Sequence, residues 1–163
     1  MNLLPPRWDV RTLTTGGIIA ALYVVLTAVF APLSFGAVQF RVSEMLTLLP
    51  VLNVIAVPGL FVGCFLSNVL FGAPWQDVVF GSMATLAAAC LTRQFRNDLW
   101  LAAFMPVAVN GIVIGLMLSV VYALPLFATM GTVALGQAGV CYVLGIPLVR
   151  LLQQRLGDRI STL

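Results

Sequence analysis

The sequence contains no lysine and no histidine, and only 8% of its 163 residues are charged, against about 25% in an ordinary soluble domain. Each absence excludes chemistry. Without lysine the chain cannot build the phosphate-cradling P-loop, so it cannot hydrolyse ATP through a Walker-type site, and energy for any transport must come from a partner or a gradient. Without histidine it lacks the base of most serine or cysteine triads and the usual ligands of membrane zinc hydrolases. The three cysteines, Cys64, Cys90 and Cys141, each lie inside an apolar run and form no CxxC pair, which reads as small buried hydrophobes and no metal site. The net charge of +3 rests on arginine alone, dispersed among apolar segments rather than clustered on a polar face, so it points to no nucleic acid.

What is present is apolar: 61% of the residues are hydrophobic. Apolar runs follow one another from residue 13 to residue 152, leaving no polar block that could fold separately, so residues 1–163 read as one membrane domain. A spanning helix needs about 20 apolar residues. Four candidates stand out, at 13–31, 78–91, 99–122 and 127–152. The stretch 45–71, with Pro50, Asn53 and Pro58 near its centre, is either one kinked span or two short ones, 45–53 and 57–71. Arginines near span ends collect on the cytoplasmic side. Two short spans put seven of the eight on one face, with Arg41 alone opposite, whereas a single kinked span divides them 2 to 6. The expectation is therefore an all-α integral membrane protein with six transmembrane helices, two of them short, and both termini cytoplasmic. The first run is too long for a signal-peptide core and is read as a retained span.

Ionisable and amide side chains are costly inside a bilayer, so each marks a candidate site. Gln39, Arg41, Glu44, Asn68, Gln76 and Asp77 fall toward the outer side, and Asn110 and Gln137 near the middle of the last two spans. Coming from five segments, they suggest one polar pocket open to the outside. Glu44 either pairs with Arg41 one turn earlier or accepts paired N–H donors from a ligand. Asp77 either caps a helix or touches ligand. Asn53 fits turn chemistry between two prolines. Asn68, Asn110 and Gln137 serve either the ligand or as hydrogen-bond glue between helices. Trp75, Phe40 and Tyr122 offer stacking surfaces or belong to the interfacial aromatic belt. On the first span Gly16 with Ala20, and Gly17 with Ala21, make small-xxx-small pairs suited to close packing, either internally or against another subunit.

The run "APLSFGAVQFRVSEMLTLLP" at 31–50 resembles the QueT family, the queuosine-precursor substrate-binding (S) components of energy-coupling factor (ECF) transporters. The likeness continues through "VPGLFVGCFLSNVLFG" at 57–72, "DVVFGSMATLAAACLTR" at 77–93 and "PVAVNGIVIGLML" at 106–118. The resemblance implies a six-helix S component that is not an enzyme and carries no cofactor. It also implies a transmembrane coupling subunit and two ABC ATPases as partners, docked through small residues on the first helix, here Gly16, Gly17, Ala20 and Ala21. The implied ligand is a 7-deazaguanine such as the aminomethyl precursor of queuosine. Glu44 would take its paired donors, Asn68, Asn110 or Gln39 would satisfy the remaining edge, and Asp77 would meet an aminomethyl cation. Arg41 joins this polar set, and Trp75 or Phe40 would stack on the ring. The segment between Pro32 and Ser43, with Gly36 as its flexible point, is expected to close over the ligand. Another vitamin as substrate, or a stand-alone secondary carrier, are the alternatives.

Overall fold

The computed structural model describes residues 9–31 and 41–156, and among these no strand occurs. Helix α1, Val10–Val29, starts at Asp9, whose carboxylate accepts the Thr12 N–H at 2.8 Å and so satisfies one of the free donors of the first turn. Gln39 and Phe40, and most of the expected lid, lie outside the described residues.

The stretch that the arginine count resolves into two short spans, 45–53 and 57–71, is two helices. The first, α2, Val42–Val51, is wound as a 3-10 helix and contains Pro50 in its last turn. Ten residues in that geometry rise about 2.0 Å each, so α2 reaches about 20 Å, short of a hydrocarbon core about 30 Å thick. The turn that follows is built by Asn53, whose Oδ1 accepts the Ile55 N–H at 2.8 Å, and α3 then runs Ala56–Leu70. Helix α4, Ser82–Gln94, is entered through a π-wound turn, Asp77–Gly81. Helix α5, Leu99–Tyr122, is capped by Asp98, which accepts the N–H groups of Trp100 and Leu101 at 2.9 and 3.2 Å. Helix α6, Leu126–Ala138, passes through a second π-wound stretch, Gly139–Gly145, directly into α7, Ile146–Leu156.

Three of these helical runs are long and apolar enough to cross a membrane: α1, α5 and the continuous Leu126–Arg155 run, with 20, 24 and 30 residues. Their outward faces carry large aliphatics such as Leu13, Ile18, Leu22, Ile112 and Leu116, as lipid-facing surfaces do. The protein is an all-α integral membrane protein of six helical units, counting α6 and α7 as one.

Short as it is, α2 touches α1, α3, α4, α5, α7 and the second π stretch. Leu46 packs into one core cluster with Tyr23, Leu60 and Cys64, and Leu48 into another with Val107, Cys141 and Val149. Its carboxyl end is held by Arg93 of α4, which donates to the carbonyls of Pro50 and Val51 at 3.0 and 3.2 Å, filling acceptors the helix leaves open. Around this plug the helices close by glycine contacts. A Cβ on Gly59 would stand 2.8 Å from the Gly16 carbonyl oxygen, and one on Gly63 2.8 Å from Tyr23 Cβ, so only glycine lets α3 approach α1 this closely. Gly115 does the same against Met130 between α5 and α6.

Candidate functional site

Because α2 is the hub, the acidic residue in its first turn points into the centre of the bundle. Glu44 is buried, and four side chains from four other helices donate to its carboxylate. Tyr23 of α1 donates to Oε1, which Thr85 of α4 also reaches at 3.5 Å. Asn110 of α5 and Gln137 of α6 each donate to Oε2 at 3.3 Å. A carboxylate offers about four acceptor positions. Glu44 therefore has every position filled, but three of the four bonds are at or beyond the long end of the usual range, about 2.7–3.2 Å for N–H donors.

A second polar group adjoins the first. The Arg41 guanidinium, just before α2, lies 3.5 Å from Asp77 Oδ2, and both side chains are buried. Asp77 is thus an ion-pair partner and makes no cap hydrogen bond, the helical turn around it being π-wound. Asn68 of α3 donates to the Asp77 carbonyl at 2.9 Å. Gly81 closes this group: a Cβ there would stand 3.3 Å from Asn68 Nδ2, 3.5 Å from Asp77 Oδ1 and 4.0 Å from Arg41 Nη1. The two π-wound stretches flank the site, one carrying Asp77 and the other carrying Cys141, whose sulfur lies 3.5 Å from Gln137 Nε2. Such windings recur at functional sites because the extra residue per turn re-aims the side chains around it.

Arg41, Glu44, Gly81, Thr85, Asn110, Ile114, Val133 and Gln137 enclose a cavity of about 20 Å³, room for a single water. Four buried polar atoms near it take no hydrogen bond from any described residue: Asn68 Oδ1, Asp77 Oδ1, Asn110 Oδ1 and the Ser82 hydroxyl oxygen. Buried polar atoms are nearly always paired, so each of these four calls for a partner beyond the described residues.

The residues named from sequence divide accordingly. Arg41, Glu44, Asn68, Asp77 and Asn110 come together. Trp75 does not line the cavity; it is exposed in an apolar surface groove beside Phe80, Ile112 and Leu116. Tyr122 is exposed as well. Gly16 and Ala20 pack on α3, while Gly17 and Ala21 face outward. Sequence reading missed Tyr23 and Thr85, and it left Gln137 between a ligand contact and hydrogen-bond glue between helices. Tyr23 does leave a trace, standing one turn before Thr27 on a single face of the otherwise apolar second half of α1.

The profile of the QueT transporter family matches residues 13–154, a span that runs from near the start of α1 into the last turn of α7 and holds all of the buried polar group. The chain belongs to the QueT transporter family. It is also 30% identical over 166 aligned residues to the queuosine precursor transporter QueT of Lactococcus lactis subsp. cremoris (strain MG1363), covering 91% of this chain and 94% of the relative. No solved structure matches the chain significantly. In this member of the QueT family, then, the polar cluster around Glu44 lies inside the matched region, enclosed by helices whose outer surfaces suit lipid.

Proposed function

We propose that this chain is the substrate-binding S component of an ECF-type importer and captures a queuosine precursor of the 7-deazaguanine class. The observation that carries the reading is the open acceptor set: Asn68 Oδ1, Asp77 Oδ1 and Asn110 Oδ1 are buried oxygens awaiting N–H donors. A deazaguanine is a flat ring whose edge is rich in N–H groups. Glu44 contributes the carboxylate that a guanine-like N–H pair prefers, and its long bonds to Thr85, Asn110 and Gln137 are the ones a ligand would replace. A cavity of about 20 Å³ is too small for a bicyclic ring, so capture requires the helices around Glu44 to part, and the described arrangement is the contracted one.

The partners are those the family resemblance implies, a transmembrane coupling subunit and two ABC ATPases; the missing lysine supports the reading only so far that, without a P-loop, the chain draws energy from a partner or a gradient. The coupling subunit docks on the outward face of α1, where Gly17 has nothing within 4 Å of an added Cβ and Ala21 is exposed. Seven arginines on the face that carries both termini support a cytoplasmic location for the two ends.

The test is calorimetric titration of the purified chain in detergent with aminomethyl-deazaguanine, guanine, thiamine and riboflavin, beside the Glu44→Gln variant. Binding of the deazaguanine, lost in the variant, is the expected result. Binding of a vitamin instead would overturn the substrate class and leave the architecture standing.

A further inference from the structure

We propose that the apolar groove between the π-wound turn Asp77–Gly81 and α5 is a seat for one acyl chain of a membrane phospholipid, a site independent of what the protein carries. The groove encloses about 570 Å³, within the range of about 300–1,000 Å³ typical of small-molecule sites. Its floor is one face of α5, from Ile112 through Leu116 to Val120 and Val121. At about 1.5 Å per residue that face is about 14 Å long, close to half of a hydrocarbon core about 30 Å thick and so to one leaflet. The other wall comes from the helical turns that lead into α4. Helices α4 and α5 form an antiparallel hairpin, in which the Thr92 hydroxyl donates to the Ala102 carbonyl at 3.2 Å. Phe80 is therefore level with Val113, and Trp75 with the last turns of α5. The groove opens at the membrane surface beside an exposed tryptophan, the side chain that gathers at that level.

The lining decides which occupant fits. Among the described residues no charged side chain lines the groove, Gln76 is its one amide, and none of the lining residues is Gly, Ala, Ser or Thr. A partner helix needs such small residues to approach closely, and water would find almost no hydrogen-bond partner along these walls. A flexible, unbranched hydrocarbon chain needs neither. Docking of another subunit on α1 leaves the groove in lipid, because α1 packs on α2 and α3 whereas the groove is built by the α4–α5 hairpin. The Trp75 indole N–H and the Gln76 amide are the donors available to the ester and phosphate oxygens of the headgroup. With no ionic side chain in its lining, the seat selects for the chain and is indifferent to headgroup charge. Phe80 and Val113 face the groove while their neighbours Gly81 and Ile114 line the polar cavity, so a seated chain braces the wall that the two share.

Trp75 is itself the probe, since in the full chain carrying Trp8→Phe and Trp100→Phe it is the one tryptophan left. Delipidated protein in detergent is titrated with phosphatidylcholine brominated on its acyl chains, bromine being a contact quencher of indole fluorescence. The expected result is quenching that saturates at about one lipid per chain. Unbrominated phosphatidylcholine and phosphatidylglycerol should reverse it at concentrations within about threefold of each other. Filling the groove with Ile112→Phe and Val120→Phe should weaken the lipid by at least about tenfold, and both positions are exposed, so the core stays as it is. Quenching that grows with the lipid's share of the micelle and never saturates would overturn the seat, leaving ordinary solvation by lipid. Saturation unchanged in the filled variant would overturn it too, as would a preference for phosphatidylglycerol of more than about tenfold, which marks a headgroup site. Protein that runs as a dimer in detergent and as a monomer once the groove is filled would assign the groove to a second copy of the chain instead. The saturation point of the unfilled protein needs no groove substitution, so a misfolded filled variant does not remove the test. No deazaguanine enters the assay, so its failure leaves the proposed function untouched.

Discussion

The Tyr23 hydroxyl donates to Glu44 Oε1, which bonds the helix bearing the outward Gly17 and Ala21 directly to the buried carboxylate at the centre of the bundle. On the proposed reading, a ligand that displaced Glu44 would act directly on α1, the helix proposed to dock the coupling subunit.

Replacing Tyr23 by Phe keeps the packing of a fully buried ring and removes only the donor. The expected outcome is a stability loss of about 1–3 kcal/mol together with about tenfold weaker deazaguanine binding, since the buried carboxylate loses one of its donors. Thermal unfolding and titration in the same detergent read both. A variant indistinguishable from wild type would show that the hydroxyl is dispensable.

Arg93→Met tests how α2 is held. The guanidinium closes the carbonyls of Pro50 and Val51 and is half-buried, so the loss expected is at the modest end, about 1–2 kcal/mol. Chemical denaturation in mixed micelles would measure it, and unchanged stability would mean that water satisfies those carbonyls equally well.

The two small-residue pairs on α1 predict opposite phenotypes. Ala20→Leu places bulk where α3 lies against α1, because the Ala20 backbone is already within about 3.0 Å of a Cβ at Gly63, and should unfold or strongly destabilise the chain. Ala21→Leu points outward and should leave stability and ligand affinity unchanged while abolishing co-purification with the coupling subunit. Normal complex formation by Ala21→Leu would move the docking surface elsewhere.

Gly81→Ala adds a methyl group 3.3 Å from Asn68 Nδ2 and 3.5 Å from Asp77 Oδ1, atoms on side chains that can shift slightly. The fold should survive, with ligand affinity reduced by about tenfold or more because Gly81 is on the cavity wall and the added methyl group takes up space there. Full affinity would place the ligand on another wall of the cavity.

Composition and hydropathy were sufficient for the membrane class, since a chain with so few charges and so many long apolar runs has no other solvent, and missing lysine and histidine excluded the commonest hydrolytic sites without any coordinates. Glu44, Asp77, Asn68 and Asn110 were legible for the same reason: an ionisable or amide group in an apolar run is conspicuous. Tyr23 and Thr85 were not, because hydroxyls are unremarkable in membrane helices and sequence spacing does not reveal which helix faces which. The choice of Asp77 rather than Glu44 as the partner close to Arg41 across 3.5 Å, the packing of Gly16 and Ala20 inward, and the separation of Trp75 from the cavity were decided only in three dimensions. Hydrophobicity determines that these helices enter the bilayer; the glycine contacts that set their rotation, and the short central helix they enclose, determine which polar side chains meet.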